Sequence, residues 1–177
     1  MPLCDTALRL AQKDVYAIRW TQQILEEAER NLIDSRRFDP EKIKRRFVRI
    51  RQEFADAEVT GHEDLIPAMH CHDKDRHVLA AGVRGGAHQI VTANVRDFPE
   101  DSLEPYGIEV VTPDDFLLNS LDMATRLTTE VIAEQAAQLR KPPMSIPEVL
   151  AALSKAGAPL FAQAMENILT LQQDKGR

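Results

Sequence analysis

Three carboxylates stand where chemistry could be done: Glu27, Asp75 and Asp97. Asp75 heads the run Asp75-Arg76-His77-Val78-Leu79-Ala80-Ala81-Gly82, Asp97 follows the short apolar run Gln89-Ile90-Val91-Thr92, and Glu27 sits within the amphipathic stretch Ile24 to Leu32. Hard divalent cations take oxygen ligands, and Mg²⁺ is usually held by one or two carboxylates together with water and phosphate. An ion so held polarises a phosphoryl oxygen and lowers the pKa of bound water, which is hydrolytic chemistry. Acids alone do not single out a site, because the chain has 28 of them. Their position relative to the strands and helices has to carry the argument.

Other residues invite a functional and a bland reading side by side. Lys42, Arg45, Arg46 and Arg49 recur at helical spacing opposite Ile43, Phe47 and Ile50. Such a face can hold RNA phosphates, and it is equally what a solvated amphipathic helix looks like. His70-Cys71-His72, with Asp73 and Asp75, has zinc-ligand residues at short spacing but no distant second pair. A loop beside the site is the simpler reading. His77 reads as a packing or surface histidine, Trp20 as core, and Cys4 and Cys71 as unreactive thiols.

The elements that must position these groups follow from periodicity. Residues 3–13 form a helix with a broad apolar face. Val15 to Trp20 is rich in β-formers and reads as a strand. Thr21 caps a helix whose face is Ile24, Leu25, Ala28 and Leu32, and Asp39-Pro40 opens another. Glu58 to Thr60 reads as a short strand and His62 to Lys74 as a loop. Asp75 opens a small-residue helix that stops at Gly85-Gly86. Gln89 to Thr92 and Ile108 to Val111 are short apolar runs of the buried parallel type. Thr112-Pro113-Asp114-Asp115 starts a helix with acids in its first turn. Beyond about residue 120 only helical patterns remain. One helix carries Met123, Leu127, Val131 and Ile132, Lys141-Pro142-Pro143 breaks it, Ser145-Ile146-Pro147-Glu148 is a capping box, and a last helix carries Leu160 to Leu169.

Alternation of strands and helices predicts an α/β fold with a mostly parallel sheet covered on both faces. Ligands of such sheets bind outside the carboxyl ends of the strands, where the three acids fall. The predicted organisation is an α/β domain over residues 1–119 and a helical extension over 120–177. At 177 residues there is material for one full core and a small appendage. A net charge of −6 excludes a general nucleic-acid sponge, so any nucleic-acid binding must use a local patch. No run approaches the roughly 20 apolar residues of a membrane span. The two cysteines give no disulfide framework and no secretory signal is visible, so a cytoplasmic setting is expected.

Asp75 to Gly82, followed by Thr92-Ala93-Asn94-Val95-Arg96-Asp97-Phe98-Pro99, resembles the PIN-domain family, the VapC-type ribonuclease toxins in particular. Ile24 to Leu32 is similar to that family's helix bearing an acid, and Ile108 to Phe116 to the end of its domain. The resemblance covers roughly residues 3–118, and the helical tail resembles the extension of some larger VapC-type proteins. It implies a three-layer PIN-like fold and Mg²⁺- or Mn²⁺-dependent RNA cleavage. It also implies RNA as substrate and a VapB-type antitoxin as partner; a homodimer is the further partner expected. By its pattern Glu27, Asp75 and Asp97 match metal-site acids and Asn94 a polar site position that would orient water or an acid.

The family's usual first strand, which ends in an aspartate, has no counterpart here; Asp5 lies inside the first helix and does not match it. The expected consequences are weaker cation binding and a sheet without its middle strand. A start further upstream, an excised piece, and a truncation tolerated through strand exchange or self-association all remain open. The alternative function is a catalytically silent PIN-like module that binds RNA or an antitoxin-type partner. A receiver-type signalling domain lacks its paired acids and its lysine in place.

Overall fold

The computed structural model describes residues 2–139 and 143–175, with side chains described to residue 171. It is mostly helical, with one small parallel two-stranded sheet, which is α/β at the coarse level. The chain divides into two compact units. One comprises residues 1–17, 91–93 and 111–177, and the other residues 18–90 and 94–110.

In the first unit, α1 (Pro2–Gln12) joins α6 (Pro113–Met123), α7 (Thr125–Gln138), α8 (Ile146–Lys155) and α9 (Pro159–Lys175). Their apolar stripes meet in one core containing Leu10, Leu117, Ile132, Leu153, Phe161 and Met165. Each such side chain contributes about 1.5–3 kcal/mol by leaving water. The caps are those the residues predict. Thr112 accepts a hydrogen bond from the Asp115 N–H at 3.2 Å, and Glu148 Oε2 accepts from the Ser145 N–H at 2.7 Å. Asp114 does more than complement its own helix dipole. Its buried carboxylate accepts from the N–H groups of Leu160 at 3.0 Å and Phe161 at 2.8 Å, and so caps α9.

Two expectations in this unit are corrected. Met123 and Leu127 lie on separate helices, because Ala124 leaves helical geometry at φ −142°, ψ 52°. The strand expected over Val15–Trp20 does not form. Asp14 turns the chain at φ 57°, the Val15 N–H bonds back to Leu10 O, and Tyr16 Oη–H donates to Ala7 O at 2.5 Å. Val15 and Tyr16 thereby pack on the helical core, and the burial of Tyr16 pushes its phenol pKa well up. The break expected at Lys141-Pro142-Pro143 lies largely outside the described residues.

The second unit holds α2 (Gln22–Asp34), α3 (Pro40–Glu53), α4 (Arg76–Arg84), α5 (Glu100–Leu103) and most of β1 (Gln89–Val91) and β2 (Glu109–Val111). Thr21 accepts from the Ile24 N–H and caps α2; Asp39 accepts from the N–H groups of Glu41 and Lys42 and caps α3, with Pro40 at its first turn. The strand expected at Glu58–Thr60 reduces to a single parallel bridge between Trp20 and Glu58. The stretch 62–74 contains two 3₁₀ turns, Glu63–Ala68 and Asp73–Asp75. Met69, Leu79, Ile90, Phe98, Leu103 and Ile108 make the core. Small residues let α4 lie close to the strands. A Cβ on Gly82 would stand 3.5 Å from Ile108 Cδ1 and 3.6 Å from Ile90 Cδ1. Gly85 ends the helix where a Cβ would press to 2.9 Å from Val59 Cγ2, so no larger residue fits without movement.

Candidate active site

Asp75 ends the Asp73–Asp75 turn and occupies the cap position of α4, yet its side chain caps nothing. Asp97 closes the 3₁₀ turn Val95–Asp97 after β1, held there by its N–H bond to Asn94 O at 3.0 Å and by the buried Phe98 beside it. The two loops are fastened by the His72 N–H, which donates to Asp97 O at 2.9 Å. A backbone bond thus joins the turn that carries Asp75 to the turn that carries Asp97. Both carboxylates are largely sheltered, with 22% of each side chain exposed.

The electrostatics are those of two acids brought together. Burial pushes the Asp75 carboxyl above its ordinary range; the neighbouring Lys74 pulls it down and Asp97 pushes it up again, with His72 and His77 pulling down. Asp75 Oδ2 is buried without a hydrogen bond among the described residues. Lys74 Nζ lies 3.3 Å from Asp97 Oδ2, and His72 Nδ1 lies 4.0 Å from Asp75 Oδ2. Basic side chains thus surround the pair. Burial and the Asp75 charge also raise the Cys71 thiol pKa.

Glu27 is placed differently. Its Oε1 accepts from Gln23 Nε2 at 3.0 Å and its Oε2 lies 3.4 Å from His77 Nε2. No group of three His, Cys, Asp or Glu side chains with metal-site spacing occurs among the described residues, and this covers the zinc reading of His70-Cys71-His72 as well. Asn94 precedes the Asp97 turn and is exposed. Lys42, Arg45 and Arg49 are exposed on α3 and Arg46 is half-buried, opposite the buried Ile43, Phe47 and Ile50. Sequence reading missed the roles of Lys74 and His77. The one available signal was adjacency to Asp75 at positions 74 and 77.

The donor chemistry of Asp75 and Asp97 suits a hard cation: two oxygen ligands, one lacking a hydrogen bond, in a place where negative charge is penalised. The chain is also similar to known proteins. Residues 113–167 match the family described as the VapC50 C-terminal domain. A curated protein of Mycobacterium tuberculosis named "Putative ribonuclease VapC50" is 47% identical over 102 residues. Over these stretches the chain is similar to VapC-type proteins. The match takes in 58% of this chain and 60% of the relative's own length. No solved structure matches this chain. No helix among its described residues is long and apolar enough to cross a membrane.

Proposed function

We propose that this chain is a divalent-metal-dependent ribonuclease of the PIN and VapC toxin type, with a PIN-like domain over residues 1–119 and a helical extension over 120–177. The observation that carries the reading is the backbone-fastened pair Asp75 and Asp97, with ionisation of Asp75 penalised and its Oδ2 lacking a hydrogen bond. The name of the similar mycobacterial protein supports it. Asp75 and Asp97 would hold Mg²⁺ or Mn²⁺, with Glu27 as the outlying third acid. When bound, such an ion supplies phosphoryl polarisation and an acidified water. Asn94 orients water or an acid, and Lys42, Arg45, Arg46 and Arg49 hold RNA phosphates on α3. A VapB-type antitoxin and a second copy of the chain are the proposed protein partners.

The second reading is a silent PIN-like module. It draws on Glu27, both of whose oxygens face other side chains of this protein. One assay separates the two readings: RNA incubated with Mn²⁺ and either wild type or Asp75→Asn. Cleavage by wild type that disappears in the variant supports the ribonuclease. Equal cleavage by both removes Asp75 from the chemistry, and binding of RNA without any cleavage supports the silent module.

A further inference from the structure

The buried imidazole of His77 is used by nothing in the reading above. His77 is 6% exposed, on the first turn of α4, two residues after Asp75. Its Nε2 makes no hydrogen bond that meets normal geometry, and a buried polar atom left so is costly. The polar atom facing it is Glu27 Oε2 at 3.4 Å. Glu27 is held from its other side too, with Oε1 accepting from Gln23 Nε2 at 3.0 Å one turn earlier on α2. The carboxylate is thus placed between a neighbour on its own helix and a ring on another.

We infer that His77 is a positioning residue for Glu27, its Nε2 facing Oε2 at 3.4 Å as a close polar contact that holds that carboxylate beside the head of α4. The inference rests on the ribonuclease reading only for its consequence in catalysis, not for the pairing itself. The pairing requires the tautomer that carries hydrogen on Nε2. Groups that fix a ligating or nearby carboxylate change metal affinity or activity by about 10- to 100-fold when removed.

Three variants of the full chain test this: His77→Leu, which keeps apolar bulk and removes the donor; His77→Gln, which restores an N–H near the Nε2 position; and Glu27→Gln. In metal-free protein, ¹⁵N NMR of the imidazoles reports the Nε2–H tautomer of His77, and its shift moves in Glu27→Gln. With Mn²⁺ and RNA, His77→Leu lowers kcat about tenfold with KM little changed, and His77→Gln recovers most of it. Placed in Glu27→Gln, His77→Leu has no further effect. An Nδ1–H tautomer indifferent to Glu27, or effects that multiply in the double variant, would overturn the inference. Should Asp75→Asn cleave as wild type, the ribonuclease reading fails while the NMR result still decides whether His77 pairs with Glu27.

Discussion

Lys74 Nζ lies 3.3 Å from Asp97 Oδ2, so the residue next to one carboxylate of the candidate site neutralises the other. The ammonium sits where a cation at Asp97 would compete with it. Lys74 is 59% exposed, and exposed pairs of this kind contribute about 0.2–1 kcal/mol. Lys74→Met is therefore expected to tighten Mn²⁺ binding by about twofold to fivefold, since 1.4 kcal/mol corresponds to tenfold. Calorimetric titration checks it. Weaker binding in the variant would mean that Lys74 positions Asp97 and does not compete.

The Asp75 carboxyl gives a pH signature in the absence of metal. Burial leads the causes that raise its pKa, so the folded protein holds this proton more tightly than the unfolded chain does. Stability then falls as pH rises from the unfolded carboxylate value, about 3.9, to the raised folded value. Above that window the full penalty applies, and Asp75→Asn removes it. Urea midpoints in EDTA should show the variant more stable than wild type at pH 7, with the gap closing as pH drops through the raised folded value towards about 3.9. A variant less stable than wild type at pH 7 would contradict the assignment.

Asp114 fastens α6 to α9 through two bonds to backbone N–H groups in the first turn of α9. Truncating a buried acceptor leaves its donors unsatisfied, at about 1–3 kcal/mol each in similar settings. Asp114→Ala should lower stability by roughly that amount, as thermal or urea unfolding would reveal, whereas Asp115→Ala removes only a local cap interaction and costs less. Equal effects would sink the distinction.

The basic face of α3 predicts a salt effect rather than a sequence effect. Arg45→Gln with Arg49→Gln should weaken RNA binding similarly across sequences. The slope of log affinity against log salt should become shallower by about 0.7 for each single-strand phosphate that the variant no longer neutralises. An unchanged slope would return this face to the role of a solvated helix surface.

Helices with clear caps were legible before any coordinates. Thr21, Asp39, Thr112 and the Ser145–Glu148 pair all do what their sequence context predicts, because a cap is local chemistry. Strands were less legible. Val15 and Tyr16 have strand-forming side chains, yet a positive-φ turn at Asp14 and packing against α1 decide their conformation. Asp75 and Asp97 could be picked out from their places before a helix and after a strand. The partners that surround them could not. Lys74, His72 and His77 reach the acids through the fold of the 72–77 segment, which has no periodicity to read. Asp114 shows the same limit, since its place in the first turn of α6 gave no hint of α9.

Direct Mn²⁺ calorimetry on the full chain tests the central claim, that Asp75 and Asp97 together hold the catalytic ion. Wild type should bind Mn²⁺, and Asp75→Asn and Asp97→Asn should each abolish that binding while keeping the wild-type circular dichroism spectrum. Retention of wild-type affinity by either folded variant would contradict the account.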